Sequence, residues 1–169
     1  MIKIRTTLQY RGLNAEPTKG FKEVVAGELT AAGEHWARKY LPSHFERTAY
    51  TRYPGAYQRR TAKYEKSALK RGKGPMVYSG IMRSQVLSSQ EIRATDKRMT
   101  VTMRGVRALN LAGKISGRRM CPYPDFRAEL TAIAPSEMND LARVLDRGVT
   151  RRLDLLGMRG PSRTVAPAA

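Results

Sequence analysis

The stretch KGFKEVVAGELTAAGEHWARKYL, residues 19–41, predicts a helix of about 20 residues with one apolar face. Thr18 is suited to cap its start, and Pro42 closes it. Glycines at positions 27 and 33 favour close approach to a sheet or a second helix, or else they weaken this one. The apolar residues recur at steps of three and four: Phe21, Val25, Leu29, Ala32, Trp36 and Tyr40.

A second amphipathic helix is predicted for residues 135–156. Pro135 is favoured in a first helical turn, while Glu137 and Asp140 suit the positive end of the helix dipole. Gly157 is a natural C-terminal stop. The apolar residues again step by three and four: Met138, Leu141, Leu145, Val149, Leu153 and Leu156.

Four short strands are predicted between and before these helices. Residues 2–9 alternate apolar and polar side chains, as a half-buried strand does. Val86–Ala94 and Met99–Arg104 predict a hairpin that turns at residues 95–97, and Phe126–Ile133 predicts a further strand. We therefore expect an α+β fold, with a small antiparallel sheet of about four strands and two long helices packed on one of its faces.

The 169 residues fit one α+β domain, residues 1–156, followed by a flexible tail at 157–169. Two basic segments sustain no apolar period. Residues 43–74 contain four tyrosines and predict an extended arm, and residues 105–122 predict a basic loop. A loop of such length inside a compact domain is usually functional or disordered.

The sequence contains no pattern typical of catalysis. Two histidines, His35 and His44, and the single Cys121 lack the spacing of zinc ligands, so we interpret the histidines as structural. The glycines of residues 71–75 lack the lysine and hydroxyl of a phosphate-binding loop. We therefore predict that the chain is not an enzyme, and we assign no catalytic, cofactor or metal site.

No apolar run approaches the roughly 20 residues that span a bilayer, and residues 1–7 lack the apolar region of a secretory signal. One cysteine cannot form an internal disulfide, which fits a reducing compartment. We therefore expect no membrane partner and synthesis in a cytoplasm.

The net charge of +18 is concentrated in the middle of the chain. Residues 38–83 carry 12 basic and 2 acidic side chains, and residues 84–119 carry 8 and 2. The two ends are close to neutral. Such an excess favours an anionic partner and says little about the fold.

Residues 47–60, RTAYTRYPGAYQRR, interleave cations with aromatic rings. This composition is typical of single-stranded nucleic-acid surfaces and equally of protein interfaces, where Tyr and Arg are favoured anchors. A solvated loop without a partner is the third interpretation. The candidate interface residues of this segment are Arg47, Tyr50, Arg52, Tyr53, Tyr57, Arg59 and Arg60.

Residues 75–87, PMVYSGIMRSQVL, resemble a segment of small neck and tail-completion proteins of tailed bacteriophages. The matching positions include Pro75, Ser79, Gly80 and Arg83. The arrangement around them is similar over about residues 18–156, although both basic segments are longer than in the smallest members. Pro75, Ser79 and Gly80 are then expected to form a structural turn, with Gly80 in a conformation that other residues resist.

The resemblance implies a structural virion subunit in the head-to-tail connector or at the tail terminus, assembled in the host bacterial cytoplasm. Such subunits act as a ring, for which six copies is one candidate number, and contact portal, adaptor or tail-tube proteins. In that arrangement further candidate interface residues are Arg83, Arg118 and Arg119. Non-specific contact with genomic DNA is a further expectation. The alternative is a basic cytoplasmic protein that binds RNA or DNA without sequence preference.

Overall fold

The computed structural model describes residues 2–5, 19–57, 74, 80–106, 109 and 124–156. The central element is the helix of the first amphipathic stretch, which packs on a sheet on one side and on a second long helix on the other. The elements are β1 (Ile2–Arg5), α1 (Lys19–Lys39), a 3₁₀ helix (Leu41–Phe45), α2 (Ala49–Arg52), α3 (Ile81–Ser88), β2 (Gln90–Thr95), β3 (Arg98–Met103), α4 (Phe126–Thr131) and α5 (Pro135–Leu155).

The sheet is antiparallel, with β3 between β1 and β2. Strands β2 and β3 form a hairpin in which Ile92 pairs with Val101 and Ala94 with Met99. Because side chains alternate along a strand, these four residues share one face. Met99 and Val101 are buried in the core, which places that face against the rest of the domain.

Close packing of α1 on the sheet depends on Gly33. A Cβ atom built there would overlap Sδ of Met99 and would lie 2.9 Å from Cγ2 of Ile92. Both approaches are closer than a van der Waals contact, so only glycine fits between the helix and the hairpin without movement. This is the close approach that the glycine pattern predicts.

Helix α5 runs antiparallel to α1 and packs mainly against it. Near the start of α5, Asp140 Oδ2 accepts hydrogen bonds from Lys39 Nζ at 2.9 Å and Tyr40 Oη at 2.6 Å. At the other end, Arg152 Nε lies 2.8 Å from Glu28 Oε1. The described structure is therefore layered as sheet, α1 and α5, whereas the sequence pattern predicts both long helices on the sheet.

The four-strand prediction is wrong at residues 126–133. Residues Phe126–Thr131 form helix α4, whose N-cap is Asp125. The Asp125 carboxylate accepts hydrogen bonds from the backbone N–H groups of Arg127 and Ala128, both at 3.0 Å, and so satisfies two donors of the first helical turn. The predicted strand Val86–Ala94 also begins late, because α3 extends to Ser88.

The described part of the predicted arm is folded. Its residues up to Tyr57 form the 3₁₀ helix, α2 and the turn that follows, and Phe45, Ala49 and Tyr57 belong to the hydrophobic core. At the far end of the arm, a Cβ atom on Gly74 would collide with the Phe45 carbonyl. Both described ends of the arm thus contact the domain, and residues 58–73 lie outside the described residues.

Candidate interaction surface

His44 lies at the centre of a buried polar cluster formed by the residues that follow α1. Its ring stacks on Tyr53 with centroids 4.2 Å apart. Its Nδ1 lies 2.7 Å from Tyr57 Oη and 3.1 Å from the Glu129 carbonyl oxygen, and the Tyr57 hydroxyl donates to the His44 carbonyl at 3.1 Å. These contacts match a neutral imidazole that carries its proton on Nδ1.

Burial lowers the pKa of His44 from 6.5 to about 4, against a smaller opposite effect of the Glu129 carbonyl. Its second nitrogen, Nε2, is buried and has no hydrogen-bond partner in the described part of the chain. A proton there would place a charge in an apolar environment without compensation. His44 is therefore a neutral core residue around neutral pH, in agreement with its structural interpretation.

Tyr53 connects this cluster to the start of α5. Its hydroxyl donates a 2.5 Å hydrogen bond to Oε1 of Glu137 and lies 3.2 Å from Ser43 Oγ. Burial and the nearby Glu137 carboxylate raise the pKa of Tyr53. Arg52 Nε, at 4.0 Å from the same carboxylate oxygen, supplies a nearby positive charge.

The burial of this cluster shows that the interface prediction is wrong for two residues. Tyr53 and Tyr57 are only 3% and 7% exposed, so their rings are packed inside the domain rather than presented to a partner. The physical reason is that each hydroxyl finds a buried polar partner while each ring adds apolar area to the core. Tyr50 is half-buried, with its ring 6.0 Å from that of Tyr57 in an edge-on arrangement.

Of the remaining predicted interface residues, Arg47, Arg52 and Arg83 are exposed. Arg83 lies on α3, whose N-cap Gly80 has a φ of +85°, in the left-handed region that favours glycine. The other predicted positions lie outside the described residues: Arg59, Arg60, Arg118, Arg119, Pro75 and Ser79.

A basic surface that the sequence analysis does not single out lies on the outer face of the β2–β3 hairpin. An open groove of about 490 Å³ runs over this face. Cross-strand pairing places Arg93 beside Thr100 and Thr95 beside Arg98. The residues that line the groove, called the outer sheet face below, are Glu91, Arg93, Thr95, Arg98, Thr100, Thr102 and Arg104; Ala94 also borders the groove, although its side chain belongs to the inner face.

Glu91 organises Arg93 and Arg104 on the outer sheet face. Arg93 Nη2 lies 2.5 Å from Glu91 Oε1, and Arg104 Nη2 lies 2.6 Å from Glu91 Oε2. Both arginine side chains remain largely exposed, at 75% and 68%. Arg98 has no ion-pair partner within the described ranges, so the face carries more positive than negative charge.

The alternation along β3 is the signal that could have identified this surface. Met99, Val101 and Met103 form the inner face, so the residues between them must face outward. With threonine and arginine at these outward positions, the same pattern that predicts the strand also predicts the chemistry of its open face. Which residues of β2 join this face depends on the pairing register between β2 and β3, and the periodicity alone does not determine that register.

Among the described residues, no three His, Cys, Asp or Glu side chains are grouped so that they could hold a metal ion. None of the helices in the described ranges is long and apolar enough to cross a membrane. No protein-family model, curated protein or solved structure matches the chain.

Proposed function

We propose that the chain is a non-enzymatic structural subunit of a tailed-bacteriophage virion, located in the neck or tail-completion region. It would assemble as a ring in the bacterial cytoplasm and join portal or adaptor proteins to the tail tube. The observation that carries this proposal is the motif of residues 75–87, which resembles a segment of such proteins. Gly80 of this motif has a φ of +85° and begins α3, which leads directly into the β2–β3 hairpin.

The position of the basic segments supports an assembly role. On one side of residues 58–73, Tyr57 is buried in the domain. On the other side, Gly74 contacts the backbone at Phe45. The most basic part of the chain therefore starts and finishes on the folded domain. A segment attached in this way can contact a neighbouring subunit without disturbing the core that carries it, and repeated contacts of this kind close a ring.

The proposal is tested in particles of the phage or prophage whose genome encodes the chain. Mass spectrometry should find the chain in purified virions, and immuno-electron microscopy should place it where head and tail meet or at the end of the tail. Deletion of its gene should leave DNA-filled heads and separate tails. Normal infectious particles without the chain would reject the proposal.

A second candidate function, non-specific binding of RNA or DNA by a cytoplasmic protein, is favoured by the arginines of the outer sheet face. The two functions differ in assembly. A nucleic-acid-binding protein of this kind stays monomeric by analytical ultracentrifugation and is absent from particles, whereas a neck subunit forms rings or is incorporated into virions.

A further inference from the structure

We propose that the outer sheet face binds the phosphate backbone of double-stranded DNA without sequence preference. Two of its arginines, Arg93 and Arg98, lie on paired strands and Arg104 directly follows β3, so these cations are held close together on the hairpin. This inference rests on the proposed function and deepens it by naming a partner of the subunit. Its test uses the purified chain and does not depend on assembly into a particle.

The charge of the outer sheet face favours an anionic partner. Within the described ranges, three arginines line it against one acidic residue, Glu91. Thr100 and Thr102 of β3 lie between Arg98 and Arg104 in sequence and supply hydroxyl groups. Arginines and hydroxyl side chains are the groups that usually donate hydrogen bonds to phosphate oxygens.

The scarcity of apolar anchors on this face favours a phosphate backbone over an acidic protein. Protein interfaces concentrate aromatic residues and methionine at their centre, where water is excluded. Among the described residues that border the groove, the only apolar one is Ala94, which is small and whose side chain belongs to the inner face of the sheet. A partner bound here is therefore held by charge and hydrogen bonds, which are the interactions that a nucleic-acid backbone offers.

The same composition favours a duplex over a single strand. Single-stranded nucleic acids are bound through aromatic rings on which the bases stack, and no aromatic residue of the described part of the chain lines the groove. A duplex presents its phosphates outward and keeps its bases stacked. The outer sheet face can contact that backbone without a ring.

Glu91 limits the affinity of the face for phosphate. It accepts from Arg93 and Arg104 at 2.5 and 2.6 Å, so these arginines must exchange its carboxylate for phosphate when DNA binds. It also repels the incoming anion. Removal of its charge should therefore strengthen binding, a direction that no general disruption of the fold would produce.

The experiment measures fluorescence anisotropy of a labelled mixed-sequence DNA duplex between 50 and 200 mM salt, about the range over which phosphate contacts weaken strongly. The variant R93A/R98A/R104A removes the arginines of the outer sheet face. Its control, R143A/R147A/R151A, removes the same charge from α5. The single variants Arg98→Ala and Glu91→Gln complete the set, and circular dichroism monitors the fold of each.

We expect the triple variant of the face to bind about tenfold or more weakly. The slope of its salt dependence should decrease by up to about one unit for each phosphate that an arginine no longer neutralises. The α5 control should weaken only about twofold, as expected for a general change of net charge. Glu91→Gln should bind several-fold more tightly. If the triple variant of the face fails to fold, Arg98→Ala and Glu91→Gln still decide, since they change the affinity in opposite directions.

Equal weakening in the two triple variants would overturn the proposal, because binding would then reflect net charge alone. Tighter binding of a single strand than of the duplex would also overturn it. So would displacement of the DNA by poly-glutamate at equal charge concentration, because that result would indicate an acidic protein as the partner. Wild-type DNA affinity in the face variant, together with normal incorporation into virions, would reject the DNA site and leave the proposed function intact. Weakened DNA binding in the face variant, together with absence of the chain from virions, would reject the proposed function and leave the DNA site.

Discussion

The hydroxyl of Tyr53 donates a 2.5 Å hydrogen bond to Oε1 of Glu137, across 84 residues of sequence. Both side chains are almost completely buried, at 3% and 1% exposed. Tyr53 comes from a segment rich in arginine and tyrosine, and Glu137 from the first turn of α5. This bond holds the segment after α1 against α5, so it fixes the described part of the predicted arm on the domain.

Tyr53→Phe should lower the free energy of unfolding by about 1.5–3 kcal/mol, because the buried Glu137 carboxylate is deprived of a hydrogen-bond donor. Urea denaturation at pH 7 measures the effect. The double variant Y53F/E137M removes both partners and should cost less than the sum of the two single variants. Additive effects would show that the two groups do not interact.

Acidification should destabilise the protein through His44. Its pKa is lowered in the folded state from 6.5 to about 4, so between these pH values the unfolded chain binds a proton that the folded chain does not. The free energy of unfolding therefore falls as the pH falls, by about 3 kcal/mol over this range, and changes no further on this account below pH 4.

Urea denaturation between pH 7.5 and 4 tests this dependence. The variant His44→Gln lacks the titrating group, so its stability should fall less steeply than that of the wild type over the same range. Parallel curves for the two proteins would show that His44 is not the group responsible.

Two of the three glycines of α1, Gly27 and Gly33, should respond in opposite directions to alanine. Gly33→Ala should destabilise by about 1–2 kcal/mol, since its Cβ would overlap Met99 and Ile92. Gly27→Ala is the matched control on the same helix. Its Cβ would lie 3.6 Å from Nη1 of Arg152, an ordinary contact, so the gain in helix propensity should stabilise by about 0.5–1 kcal/mol. Thermal unfolding measures both, and a stabilising Gly33→Ala would contradict the packing described.

Asp140→Asn should lower the unfolding temperature at pH 7. The hydrogen bonds from Lys39, Tyr40 and His35 lower the pKa of Asp140 from 3.8, so it stabilises the fold while it is ionised. That contribution is fully present above the pKa that Asp140 has in the unfolded chain. It disappears as the pH falls through the lower pKa that Asp140 has in the folded protein. The difference between wild type and variant should therefore narrow below about pH 4.

Asp146→Asn supplies the control for this prediction, since Asp146 is an exposed residue of the same helix. Asp146→Asn also replaces a carboxylate by an amide, but at a position away from the three groups that donate hydrogen bonds to Asp140. Equal effects of the two variants would indicate a response to net charge rather than to the hydrogen bonds of Asp140.

Local periodicity is sufficient to predict α1, α5 and the β2–β3 hairpin, because each buries one face whose spacing is visible in a short window. The pattern is less reliable at the start of α5. It places Met138 on the apolar face, yet Met138 is 43% exposed and Glu137 is buried. The helix position is correct there, but a distant tyrosine determines which side chain is buried.

The arm shows the clearest limit of the sequence patterns. Arg52 and Tyr53 are neighbours with similar partner preferences, yet Arg52 is exposed and Tyr53 is core. Residue type makes the tyrosine ring the better candidate for burial, but the carboxylate that accepts its hydroxyl comes from α5 and is not visible in the local sequence. The helix at residues 126–131 likewise depends on a cap by Asp125, which a short apolar run does not reveal.

The sequence by itself determines that this protein is an α+β chain with two long amphipathic helices, a hairpin and a central excess of positive charge. Helical and hairpin hydrogen bonds join residues that are near in the chain, so their signals are local. Only the tertiary structure decides that α5 covers α1, that Tyr53 meets Glu137, and that Arg93 of β2 joins Arg98 and Arg104 on one open face. These relationships join residues that are far apart or depend on strand register, and packing alone selects them.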